Sequence, residues 1–165
     1  MTTIRNLCCN DLLDISHMIM GIPESMSPLS HYMLNMAECP NYCLVAVAPG
    51  NRIKGYFTAL SEGKGKEKRC EISEMNYCYP RENIGHTAEM LVKTLDETAD
   101  KMHHVNYLEV DVPSDSCYLK MFKNIGYACN KEYFDVVDRE LINMTTLRKN
   151  LSGRGLHLLA EAAAI

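Results

Sequence analysis

Nowhere does the 165-residue chain run uncharged and apolar for a length near 20, the length a membrane helix needs. Its start, MTTIRNLCCNDLLDI, has no long apolar run ahead of the charged residues. A secretory leader is therefore not expected, and the chain reads as a soluble, cytoplasmic protein without a membrane partner. Eight cysteines contain no C-x-x-C pair: Cys8 and Cys9 are adjacent, Cys39 and Cys43 have three residues between them, and Cys70, Cys78, Cys117 and Cys129 are scattered. No histidine falls at zinc-ligand spacing from any of them, so no metal site is expected. Reduced, buried thiols in a reducing compartment are. Dense basic runs are missing too. The one cluster, Lys64, Lys66, Lys68 and Arg69, is broken by Gly65 and Glu67 and reads as a solvated hairpin tip, and with a net charge of -4 this argues against nucleic acid as a partner.

With 47% hydrophobic residues, the chain is long enough for one buried core, expected over residues 1–152, followed by an Ala-rich tail, 153–165. Thr2 to Leu7 reads as a strand. Asn10 caps a helix whose apolar set Leu12, Leu13, Ile15, Ile19 and Met20 runs to Gly21. A second helix starts at Ser27 with Pro28 in its first position and carries Leu29, Met33, Leu34 and Met36 to Glu38. Cys43 to Ala48 is an unbroken apolar run, as in a strand covered on both faces; Pro49, Gly50 and Asn51 turn it, and Ile53 to Ser61 alternates like an antiparallel partner. Val105 to Val112 is a strand ended by Pro113; Ser114 caps a helix that stops at Gly126; Tyr127 to Val137 and Asn143 to Leu151 close the order. Layer logic makes this an α/β protein, a mixed and mostly antiparallel sheet with helices on both faces.

The stretch from Glu71 to Leu95 organises the rest. Ile72, Met75, Tyr77 and Tyr79 suit a strand, Pro80 closes it, and from Gly85 onward Met90, Leu91 and Leu95 recur at helical spacing to Lys101. Gly85 lets a ligand approach the backbone, and the first amides of the following helix have no intrahelical acceptor, so an anion is favoured there. His103 and His104 follow the helix, where cations suit its dipole, and read as capping residues.

Order and residues together resemble the GNAT-fold N-acetyltransferases, and within them the catalytic subunit of the NatB N-terminal acetyltransferase. The resemblance covers Met1 to about Ser152 and rests on MTTIR with NDLL, YMLNMAECPNYCLVAVAPGNRIKGYFTALSEG, KMFKNIGYA and TTLRKNLS. It implies acetyl transfer from acetyl-CoA to the α-amine of a protein N-terminus, methionine followed by Asp, Glu, Asn or Gln, beside an auxiliary subunit and the ribosome. The family's pyrophosphate loop matches Glu82 to Thr87, so Tyr77, Arg81, Asn83, Ile84, Gly85, His86, Thr87 and, after the next strand, Asp115 would hold the cofactor. Glu82 stands where the family carries a basic or amide residue. Ile22, Pro23, Glu24 and Tyr32 would line the peptide site, with the family's paired tyrosines matching Val136 and Val137, or Tyr133 and Phe134.

Two further positions depart from the pattern. Glu71 falls where the family tends to place a histidine near the amine, with Glu74 further along the strand, and these two carboxylates are the candidate bases. Phe122, which has no hydroxyl, falls where the family's thiolate-protonating tyrosine belongs. Chemistry tolerates a weak base: keeping an α-amine neutral at pH 7 costs about 1.2 kcal/mol, against about 4.6 for a lysine. A GNAT-fold binding or scaffold subunit with degraded catalysis is the alternative that Glu82 and Phe122 leave open.

Overall fold

A computed structural model of the protein describes residues 1–19, 29–77, 84–102, 105–137 and 139–151. In chain order the elements are β1 (Thr3–Asn6), α1 (Asp11–Ile19), α2 (Leu29–Glu38), β2 (Cys43–Ala48), β3 (Arg52–Glu62), β4 (Arg69–Tyr77), α3 (Ile84–Met102), β5 (Tyr107–Pro113), α4 (Cys117–Asn124), β6 (Ala128–Val137) and β7 (Glu140–Asn150). This is the expected α/β order. The strands form a seven-stranded sheet in the order β1-β2-β3-β4-β5-β7-β6. The pairs β1·β2, β2·β3, β5·β7 and β6·β7 are antiparallel and β4·β5 is parallel. The residues fall into two compact units, Met1–Leu60 with Ser73–Leu91, and Ser61–Ile72 with Val92–Ile165.

In the first unit, β2 is buried at every position, as its unbroken apolar run requires. Leu12 and Ile15 of α1 and Tyr32 of α2 cluster with Val45, Val47, Ile53 and Tyr56. Helix α1 begins at Asp11, directly after Asn10. Cys8 and Cys9 carbonyls accept from the amides of Asp11 and Leu12, and the Asp11 carboxylate reaches back to the Cys8 amide at 2.9 Å. Arg5 grips the same carboxylate at 2.6 and 2.7 Å. Asp11 is 2% exposed, and its hydrogen bonds from Arg5 hold its carboxyl down at about 2. The turn between β2 and β3 places Gly50 and Asn51 at positive φ, which glycine and asparagine tolerate best.

In the second unit, alternation divides each strand into two faces. Cys70, Ile72, Leu108, Val110, Val112 and Leu147 are buried on one face; on the other stand Arg69, Glu71, Glu109, Asp111, Thr146 and Arg148. The segment 64–69 does form the β3–β4 connection, around a 3-10 turn at Gly65–Glu67. Gly63 there has φ +81°, and a Cβ on it would meet the Glu67 carbonyl oxygen at 2.4 Å, so only glycine fits. Helix α4 is capped by Ser116, whose hydroxyl accepts from the Tyr118 amide at 3.2 Å, and not by Ser114. Ser114 is occupied elsewhere: its amide donates to Asn143 and its hydroxyl shares a 2.7 Å bond with Thr145. The helix closes at Gly126, φ +98°, as expected. Strand β7 begins three residues earlier than its sequence pattern suggested, at Glu140.

The thiols depart from expectation. Among the described residues Cys43 and Cys70 are buried, whereas Cys8, Cys9, Cys117 and Cys129 are exposed and all are free. Burial of Cys43 pushes its thiol up to about 12. No group of three His, Cys, Asp or Glu among the described residues is arranged to hold a metal ion. No described helix is long and apolar enough to cross a membrane. His103, His104 and the tail from 152 onward lie outside the described residues.

Candidate active site

The polar face of β4, β5, β7 and β6 in the second unit gathers charge at strand spacing. Parallel pairing sets Glu71 opposite Glu109, and antiparallel pairing sets Asp111 opposite Thr146 and Glu109 opposite Arg148. Four carboxylates, Glu62, Glu71, Glu109 and Asp111, would repel one another without the two guanidiniums between them. Arg69 reaches Glu71 at 3.1 Å, Glu62 at 2.9 Å and Glu109 at 3.3 Å. Arg148 donates to Glu109 at 2.7 and 2.9 Å and lies 4.1 Å from the centre of the Tyr107 ring. Arg69, Glu71 and Glu109 line a cavity of ≈ 250 Å³ with Asp111, Asn130, Lys131 and Thr146.

Asp111 is held differently. The Thr146 hydroxyl donates to it at 2.5 Å. Among the described residues no cation pairs with it. Burial and the negative charges of Asp111, Asp135 and Glu71 push the Tyr133 phenol up to about 12, so it stays protonated. Lys131 sits 5.2 Å from the Tyr133 ring centre.

Of the residues singled out in the sequence, Glu71 and Tyr133 thus come together on one face. Asp115 lies elsewhere in the same unit, in a cavity of ≈ 650 Å³ lined with Pro113, Ser114, Glu140, Leu141, Ile142 and Asn143. Among the described residues no basic side chain lines it. Phe122 has no solvent exposure and meets Tyr127 edge-on, ring centres 5.1 Å apart. In the first unit Tyr32 is 1% exposed, with its hydroxyl 3.3 Å from that of Tyr56, so it belongs to the core. Gly85, His86 and Thr87 occupy the first turn of α3, not the turn before it, and nothing stands within 4 Å of a Cβ built on Gly85. The backbone of that turn is open to a ligand, and nothing in the chain itself demands glycine there. Glu74, Tyr77 and Ile84 lie in β4 and α3, but their side chains are outside the described residues, as are Ile22, Pro23, Glu24, Arg81, Glu82 and Asn83 altogether.

Asp111 escaped sequence reasoning, although a signal was present. Glu109 and Asp111 alternate with Leu108, Val110 and Val112, which puts two carboxylates on the open face of a half-buried strand.

No family model matches the chain. Among solved structures it superposes on Chaetomium thermophilum Naa20 in complex with a bisubstrate analogue, with a TM-score of 0.74 at 17% identity, covering 94% of this chain and 89% of that one. It superposes equally on a chain of the NatB acetyltransferase complex bound to CoA and MES, TM-score 0.74 at 18% identity, over 90% of this chain and 99% of that one. Those two likenesses show the GNAT fold. In sequence it is 31% identical over 130 residues to the N-terminal acetyltransferase B complex catalytic subunit NAA20 of Arabidopsis thaliana, which covers 77% of this chain and 73% of the relative. On that extent of shared sequence, carried on the same fold, the chain belongs to the family of N-terminal acetyltransferase B catalytic subunits.

Proposed function

We propose that this N-terminal acetyltransferase, its domain spanning residues 1–152, moves an acetyl group from acetyl-CoA to the α-amine of proteins that begin with methionine followed by Asp, Glu, Asn or Gln. The observation that carries the reading is the 31% identity to a NatB catalytic subunit across most of both chains. Gly85, His86 and Thr87 fit the cofactor: their amides open a helix of 19 residues, and the space over Gly85 is clear. They would hold its pyrophosphate, with Tyr77, Arg81, Asn83, Ile84 and Asp115 as the further contacts the resemblance implies. Acetyl-CoA supplies an activated acyl group as a thioester. The chain's part is to hold the amine, take its proton and keep lysine side chains, which are almost wholly protonated at pH 7, from competing.

Glu71 and Glu74 are the bases the resemblance points to, and Ile22, Pro23, Glu24 and Tyr133 the peptide contacts. Tyr32, enclosed in the core, acts on that site by supporting α2. An auxiliary subunit is supported by the apolar side chains that α1 and α2 leave in solvent, Leu13 at 67%, Met33 at 53% and Leu34 at 54%. The place of action would be the cytoplasm, beside the ribosome, where new N-termini emerge.

The test is a peptide panel with acetyl-CoA, run with and without a NatB auxiliary subunit. Met-Asp, Met-Glu and Met-Asn peptides should be acetylated ahead of Ser- or Ala-starting ones, because burying a methionine side chain gains about 1.5–3 kcal/mol. Equal rates on internal lysines, or a preference for Ser-starting peptides, would overturn the assignment.

A further inference from the structure

Glu71 and Asp111 stand on the same polar face, but they differ in what neutralises them. Glu71 accepts from the Arg69 guanidinium through both Nη2 and Nε, at 3.1 and 3.3 Å. That carboxylate is already engaged by a cation. Asp111 is exposed, and its donor is a neutral hydroxyl from another strand, Thr146 on β7. That bond orients the carboxylate without cancelling its charge. It also lines the ≈ 250 Å³ cavity that the charged residues enclose.

We propose that Asp111, and not Glu71, is the carboxylate that receives the acceptor's α-ammonium and takes its proton, with Thr146 as its positioning residue. This rests on the acetyltransferase reading above. The ammonium gives one proton to Asp111, which is open to water and passes it on. The neutral nitrogen then forms the N–C bond to the acetyl carbon as the C–S bond breaks. A second proton leaves that nitrogen and ends on the departing thiolate, so amine and thioester become amide and thiol with one proton released. The charged and titratable groups facing Asp111 are Arg69 and Glu71 on β4, Glu109 on its own strand, Lys131, Tyr133 and Asp135 on β6, and Arg148 on β7. Arg69 and Arg148 are spent on Glu62, Glu71 and Glu109, so among the described residues Asp111 is the carboxylate of this face without a cation for an incoming ammonium to displace.

The test compares Asp111→Asn, Glu71→Gln and Thr146→Val by kcat/KM on a Met-Asp peptide from pH 5 to 9. Melting temperatures check each variant's fold, and Asn at 111 still offers an oxygen to Thr146. Asp111→Asn should lose about 100-fold, the usual scale for removing a proton acceptor, and shift the pH at which the rate rises, while Glu71→Gln, which leaves the Asp111 carboxylate in place, should lose at least tenfold less. Thr146→Val should fall between them. Binding of the same peptide with its α-amine free or already acetylated is the second readout: the wild-type chain should prefer the free amine about tenfold and Asp111→Asn should not. A large loss in Glu71→Gln with Asp111→Asn near wild type overturns the proposal. Failure of the wild-type chain to acetylate any N-terminus refutes the transferase reading instead; the binding comparison then still decides, and equal affinity for the two peptides overturns the role of Asp111.

Discussion

The Nη2 of Arg69 lies 3.1 Å from Glu71 and 2.9 Å from Glu62, so one guanidinium nitrogen holds two carboxylates from neighbouring segments of the second unit. All three side chains are partly in solvent, between 32% and 51% exposed, which limits what the pairs contribute. Arg69→Met should therefore cost only about 1 kcal/mol in urea unfolding, despite the number of contacts, and most of the difference should vanish in 1 M salt, where the Debye length is about 3 Å. A loss of several kcal/mol that salt leaves intact would show that Arg69 acts through Glu109, its 12% exposed partner.

Arg5 and Asp11 present the opposite case. Asp11 is 2% exposed and its carboxyl is held at about 2, below the ordinary carboxylate value of 3.8. A depressed native pKa adds stability that is fully present above the unfolded value and is lost as pH falls from about 4 through about 2. Asp11→Asn should accordingly cost about 2 kcal/mol at pH 7, measured by urea unfolding, and the gap to wild type should close as pH approaches 2.

Gly85 separates stability from binding. It sits in the first turn of α3 with open space where a side chain would go. Gly85→Ala should raise stability by about 0.5 kcal/mol, because glycine is the poorer helix former, while Gly85→Val should weaken acetyl-CoA binding at least tenfold in calorimetry. Unchanged acetyl-CoA affinity in Gly85→Val would place the pyrophosphate elsewhere.

Phe122 is fully enclosed, and a ring without solvent contact does not face an open substrate site. Phe122→Tyr should lower stability by about 1–3 kcal/mol through a buried hydroxyl and leave turnover unchanged. A gain in turnover would restore Phe122 to the position of the family's proton donor.

Asp96 takes the Tyr127 hydroxyl at 2.8 Å and the Lys149 ammonium on its other oxygen, tying α3 to β7 within the second unit. Burial raises its pKa despite both partners. Lys149→Met leaves a buried carboxylate without its cation and should cost about 3 kcal/mol at pH 7, with part of the loss recovered near pH 4, where Asp96 can be neutral; melting curves at the two pH values read this directly.

The sequence by itself determined the order of elements, the two-sided burial of β2, the left-handed stop at Gly126 and, through runs such as APGNRIKGY, the family. These depend on backbone periodicity, on φ preferences and on short shared motifs, all of which are local. Tertiary structure decided which charged groups are available for chemistry. Glu71 looks as free in the sequence as Asp111, but strand alternation sets Arg69, two residues away on β4, beside Glu71, and sheet register brings Thr146, 35 residues away, to Asp111. Tyr32 looks like a pocket residue until its hydroxyl meets that of Tyr56, and Ser114 looks like a helix cap until Asn143 and Thr145 engage it. A carboxylate's readiness to take a proton is set by what stands within a few ångströms of it, and those neighbours come from distant strands that only the assembled sheet places side by side.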